Sequence, residues 1–259
     1  MFILNKLFRK LKISRIDDFH QKLMDEAYEL YRKHNKWSYE EFITNVPNLL
    51  SKLHLYAVVV GNLNYQVENG GWIQWYDNGY YRFASIVDEA LENFGKYSKE
   101  ANQITQKVSS LLKRVMDHLE LLDDIESKRS YGDFEALTSL LDSYFYETPN
   151  INEISAEIED IVSDISRDKD EIAQIICNEF SLVLSFSDIL IQVLNDEEDV
   201  NYIAETVWEQ IIFQQSEELI EELVERIDDY NKQYYKINNR FMELFNEWLK
   251  WCYVNDCVK

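Results

Sequence analysis

Carboxylates dominate the chemistry available to this sequence, and their spacing is its first informative feature. Asp and Glu number 48 against 26 Lys and Arg. Over residues 153–168, Glu153, Glu157, Asp160, Asp164 and Asp168 recur at i, i+4, i+7, i+11 and i+15, the interval of one helical face. Ile154, Ile158, Ile161, Val162 and Ile165 take another face. At helical rise, successive carboxylates in such a row stand about 5–6 Å apart. Over residues 217–229, Glu217, Glu218, Glu221, Glu222, Glu225, Asp228 and Asp229 form a double row opposite Leu219, Ile220, Leu223, Val224 and Ile227, with Arg226 the single base. Like charges at i, i+4 cost a helix about 0.2–0.5 kcal/mol per pair, so stability alone favours interleaved lysine. The chemistry these rows suit is recognition of a basic partner; the competing reading of either row is a solvated helix face.

Catalysis and metal binding find little support. The sequence has no P-loop, G-x-S-x-G, H-E-x-x-H or G-x-G-x-x-G, and its four histidines, His20, His34, His54 and His118, are scattered. Asp17–His20 contains D-x-x-H, but a di-metal bundle needs two E-x-x-H helices. The run Asp196–Asp199 lacks the glycine and terminal glutamate of an EF-hand loop. Cys177, Cys252 and Cys257 make an odd set, and the lone C-x4-C of the last two has no second pair or nearby histidine for zinc. A non-enzymatic protein without cofactor or metal, in a reducing cytoplasm, is the expectation.

Charge narrows the partners. The formal net charge of −22 excludes a generic nucleic-acid binder, which needs a basic face. Residues 1–55 carry 10 bases and 7 acids, 56–115 carry 6 and 6, and 116–259 carry 10 and 35. The acidity is therefore regional, which marks one lobe rather than a general solubility device. No run of 18 uncharged apolar residues occurs, since even Ile172–Leu194 contains Glu179 and Asp188, so no membrane span is expected. The opening residues lack the apolar core of a signal peptide. Residues 2–14 read as a short basic amphipathic helix, docked on the acidic lobe or lying on anionic membrane, the former favoured because the segment has no Trp.

Helices must position these carboxylates. Only 6 glycines and 2 prolines punctuate 259 residues, too few for a many-stranded fold, while 46% hydrophobic content supports a sizeable core. The fold class is all-α, a multi-helix bundle with Gly-rich corners and an acidic helical lobe. Apolar spacing places helices at 16–34, 38–45 and 48–68, the second opened by a Ser38/Glu41 capping box and followed by a break at Pro47. Asn69-Gly70-Gly71 reads as a left-handed helix stop, and Asn78-Gly79 as another. Trp72, Trp75, Tyr76, Tyr80, Tyr81 and Phe83 between and after them read as core, because Arg82 is the only base near what would otherwise be a stacking platform. A helix from Ala84 ends at Gly95, and a long one runs over 97–126. The expected organisation is a module over 1–150 and the acidic lobe over 151–259, with one continuous domain as the alternative.

The segment Val67-Glu68-Asn69-Gly70-Gly71-Trp72-Ile73-Gln74-Trp75-Tyr76-Asp77-Asn78, with Ala90-Leu91 and Phe94-Gly95 after it, resembles the signature of the DMP-type DNA-mimic family. It departs at Gln66, where that family usually has Glu. Residues 137–146 and 228–248 both resemble the family's later helix pair. The resemblance implies an all-helical fold and a role in imitating the charge of DNA to capture DNA-binding proteins; the motif itself reads as turns and core. The leading expectation is a DNA-mimic inhibitor that occupies the basic site of a nucleic-acid-binding protein, binds no nucleic acid or membrane itself, and is compatible with a homodimer. An immunity-type protein against a basic toxin or nuclease, and a helical scaffold, are the alternatives.

Overall fold

The computed structural model describes residues 18–144, 150–163, 167–196 and 199–257. Among them the chain is all-α, with no strand. The expected helix at 2–14, and Asp164, Ile165, Glu197 and Glu198, lie outside the described residues. The helices are α1 (Phe19–Lys33), α2 (Tyr39–Leu49), α3 (Lys52–Asp77), α4 (Ala84–Gly95), α5 (Lys99–Tyr131), α6 (Phe134–Leu141), α7 (Ile151–Val162), α8 (Lys169–Glu179), α9 (Ser187–Asp196), α10 (Val200–Tyr235) and α11 (Asn238–Asn255), with 3-10 turns at Tyr80–Phe83 and Leu184–Phe186.

Packing divides the chain into two compact units, Met1–Leu119 with Glu225–Lys259, and Glu120–Val224. The expected cut near residue 150 falls inside the second. In the first unit, α3 is buried on every side from Leu53 to Leu63, a largely apolar stretch whose polar His54 and Asn62 are hydrogen-bonded, and α1, α2, α4 and α11 pack on it. Gly61 permits the approach of α1: an added Cβ would lie 2.4 Å from the Met24 sulfur and 2.8 Å from His20 Nε2. Trp72, Trp75 and Trp248 are buried in this core.

Local signals hold where capping chemistry sets them. Ser38 and Glu41 form the reciprocal capping box, with Ser38 N–H donating to Glu41 Oε2 at 2.7 Å and Glu41 N–H to Ser38 Oγ at 3.1 Å. Gly79, at φ 76°, follows the end of α3 in the left-handed region. Three expectations change. Pro47 does not break the chain before α3; it lies inside the last turn of α2, where its fixed φ is helical and only one backbone bond is forfeited. Asn69-Gly70-Gly71 is a kink rather than a stop: Gly71 alone leaves helical geometry, at φ 77° and ψ −173°, and the helix resumes at Trp72. The long helix α5 runs to Tyr131 instead of 126. It ends at Gly132 (φ 65°), where Asp133 N–H reaches back to the Lys128 carbonyl at 3.0 Å.

The second unit has two apolar clusters. One joins Ile154 and Ile158 of α7, Ile172 and Ile176 of α8, Leu190 and Leu194 of α9, and Ile203, Val207 and Ile211 of α10. The other joins Ile125, Leu137, Leu141, Ile212, Leu219 and Leu223. Partly buried Trp208 packs against both.

Candidate functional site

The candidate site is the acidic surface of the second unit. That unit holds 28 Asp and Glu against 4 Lys and Arg, a formal charge of −24, whereas the other 154 residues hold 20 against 22, or +2. The C-terminal residues 225–259, with six acids and six bases, belong to the near-neutral unit, so the whole excess of negative charge is concentrated in residues 120–224.

On α10 the apolar period fixes which side faces out. Leu219 and Leu223 are buried, which places Glu217, Glu218, Glu221 and Glu222 in solvent. Glu217 accepts a bond from the Arg129 guanidinium at 3.0 Å, and that guanidinium lies 4.0 Å from the Phe213 ring centroid. Glu218 and Glu221 have no ion pair among the described residues. Glu209, earlier on the same helix, sits above the usual carboxylate range, first because burial penalises its charge and second because Glu205 adds like-charge repulsion.

The rest of the predicted row, Glu225, Asp228 and Asp229, is exposed too but belongs to the first unit. There Asp229 pairs with Lys232 at 2.8 Å and Asp228 accepts from Asn231. The Asp229 carboxyl is held low by its hydrogen bond from Lys232. These residues are partly answered by the protein's own groups, unlike Glu218 and Glu221.

On α7, Ile154 and Ile158 are buried while Glu153, Glu157 and Asp160 are exposed, joined by Glu159, which the spacing argument left out. Asp168 is a correction. The helix ends at Val162, and Asp168 instead caps α8, accepting the Glu171 N–H at 2.8 Å. Its charge, with Asp170 and Glu171 in the first turn, complements the positive end of the α8 dipole and so has a structural role.

The motif around residues 66–78 is a hydrogen-bonded brace in the first unit. Gln66 Oε1 accepts from Gln74 Nε2 at 2.6 Å and from Asn78 Nδ2 at 2.9 Å. A Glu at position 66 could accept the same two bonds, so the departure from the family pattern preserves the brace. Trp72 N–H, which an unbroken helix would give to the Glu68 carbonyl, goes to Asn231 Oδ1 at 2.9 Å, and Tyr235 OH donates to the Val67 carbonyl at 2.8 Å. Trp72 and Trp75, 0% and 1% exposed, offer no face for stacking a base.

One constellation was invisible in the sequence. Ser51 Oγ lies 2.6 Å from His54 Nδ1, and His54 Nε2 lies 3.0 Å from Glu26 Oε2. Burial holds His54 below its ordinary pKa despite Glu26. For Glu26, burial acts to raise the pKa, but the hydrogen bonds from Lys22 and His54 outweigh it and leave the carboxyl low. Ser51 is the residue before α3 and His54 is three positions on, so this side-chain bond spans the first turn of that helix, which has no side-chain cap to its backbone. Among the described residues no cluster of three or more His, Cys, Asp or Glu is arranged to hold a metal.

Residues 48–175 match the family model described as DMP19-like protein, the family to which the 67–78 motif pointed. The match covers the brace and the α7 row but not the α10 row; of the two segments resembling the family's later helix pair, it contains 137–146. Neither a curated protein nor a solved structure matches the chain.

Proposed function

We propose that this protein is a DNA-mimic inhibitor whose acidic unit occupies the nucleic-acid-binding surface of a basic partner protein. The observation that carries this reading is the segregation of charge: −24 in one compact unit and +2 in the remainder. Duplex DNA carries about one charge per 1.7 Å of axis, so 24 charges match about 40 Å, roughly a dozen base pairs. Exposed carboxylates on α7 and α10, repeated once per helical turn, supply the periodic anionic surface. The family match over 48–175 is consistent with the role.

The mechanism is electrostatic and non-catalytic. The summed field of the acidic unit steers a cationic surface toward it, and Glu218 and Glu221, free of internal ion pairs among the described residues, present charge without first breaking a contact. Like-charge repulsion on α10 is relieved when lysine or arginine of the partner arrives. The same field repels phosphate, so the protein itself leaves nucleic acid unbound. We place it in a reducing cytoplasm, in keeping with its three free cysteines.

The test is competition. The full chain, immobilised, captures its partner from cognate lysate at about 50 mM salt, and duplex DNA then displaces it. Direct binding of the chain to the duplex at ordinary salt would overturn the proposal.

A further inference from the structure

Within the acidic unit, one corner is apolar and held in place. Leu184 is 75% exposed and Val183 is 48% exposed, in the turn between α8 and α9, while Leu182 and Phe186 on either side are buried. The turn is clamped from α10: Val183 N–H donates to Gln214 Oε1 at 3.0 Å, and Gln214 Nε2 donates to the Ser181 carbonyl at 3.3 Å. Ser181 takes φ 53°, a left-handed geometry uncommon for a residue other than glycine. Strain of this kind persists where surrounding structure imposes it. The corner is thus preorganised, with two adjacent apolar side chains presented to water.

Its position on α10 gives it chemical context. Gln214, Glu218 and Glu221 stand at i, i+4 and i+7, one face of the helix, so the clamp sits one turn before the two carboxylates without ion pairs among the described residues. Charge selects the occupant. A second copy docking through its own equivalent corner would set one unit of −24 against another, and its other unit, at +2, offers little net attraction, whereas a cationic surface gains at every carboxylate.

We infer that the Val183–Leu184 corner is the apolar anchor of the partner interface, and that its occupant is a cationic amphipathic helix. The helix lays its apolar stripe on Leu184 and Val183 and its lysines or arginines over Glu218 and Glu221. A helical occupant fits because carboxylates recurring once per turn of α10 match cations recurring once per turn of an aligned helix, both at about 5.4 Å. Charge gives encounter and register, and the anchor gives residence and a means of choosing among basic proteins, since a few well-packed, desolvated contacts hold much of an interface's affinity and affinity differences lie mostly in the off-rate. Duplex DNA has no equivalent of this corner. The inference rests on the acidic unit being a partner surface, and its test separates the two claims.

The probes are two synthetic 18-residue peptides of equal positive charge, one amphipathic with leucine on one helical face and the other with alanine in place of leucine, titrated against the full chain. The expected result is tighter binding of the leucine peptide. Leu184→Ser should weaken that peptide about tenfold or more while leaving the alanine peptide, the salt dependence and the thermal midpoint unchanged, and Leu184→Met should restore binding. Glu218→Gln with Glu221→Gln should weaken both peptides and flatten the salt dependence. If Leu184→Ser binds the leucine peptide as the parent does, the anchor is overturned and the charge reading stands. Failure of either peptide to bind, or binding indifferent to salt and to the Gln substitutions, overturns the charge reading and the anchor with it.

Discussion

Asn231 accepts the backbone N–H of Trp72 at 2.9 Å, directly over Gly71. The side chain of one helix thereby completes the kink in another. Gly71 has φ 77°, and a Cβ there would lie 2.6 Å from Asn231 Nδ2. Both the backbone angle and the space require glycine.

Gly71→Ala should destabilise the first unit by about 1–3 kcal/mol through strain and displacement of Asn231. Asn231→Ala should cost a similar amount by stranding a buried N–H, and the double variant should cost less than the two together. Denaturant unfolding followed by tryptophan fluorescence measures this. Parental stability of Gly71→Ala would refute the role assigned to the kink.

Acid should weaken the fold as pH falls through the ordinary histidine range. Burial is the largest cause holding His20 below its ordinary value of 6.5, against the opposing bond to the Ala57 carbonyl, and burial likewise dominates at His54. A histidine whose folded pKa lies below its unfolded value contributes stability that is present above the unfolded pKa and lost as pH falls toward the folded one. Thermal midpoints should therefore decline as pH drops below about 6.5, and His20→Gln with His54→Gln should flatten that decline. A decline unchanged in the double variant would assign it to other groups.

The two acidic rows predict opposed changes in stability and affinity. Glu218→Gln with Glu221→Gln keeps shape and relieves repulsion, so the variant should be as stable as the parent or slightly more so, yet associate more slowly with the captured partner and less steeply with salt. The same comparison for Glu153→Gln, Glu157→Gln and Asp160→Asn shows whether α7 also faces the partner. Unchanged affinity in both variants returns these faces to solvation.

Periodicity made much of this legible, because an apolar face is a local property. Leu219, Leu223 and Ile227 are buried as their spacing requires, and the glutamates between them are exposed. Asp168 departs from the row because an acid at the right interval continues a spacing pattern even where the helix has ended. The cue was Glu171 three residues later, a helix-start pattern. Gly71 gave a turn signal but not its outcome, since whether a helix stops or kinks depends on Asn231 and Tyr235, about 160 residues away. The Ser51–His54–Glu26 chain and the Gln214 clamp likewise join residues 28 to 33 positions apart, beyond any pattern of spacing. The neutral tail was readable from its six acids and six bases; that it packs with the N-terminal half was not.

The most direct measurement of the central claim is displacement of the partner, captured from cognate lysate on the immobilised full chain, by a duplex of about two dozen base pairs, with a gel shift of the chain against the same duplex. The account predicts that DNA releases the partner in a saturable, mutually exclusive manner, that raising salt from about 50 to 200 mM weakens capture by orders of magnitude, and that the chain alone shifts no DNA. Retention of the partner in saturating duplex, or a shift of the duplex by the chain itself, would contradict it.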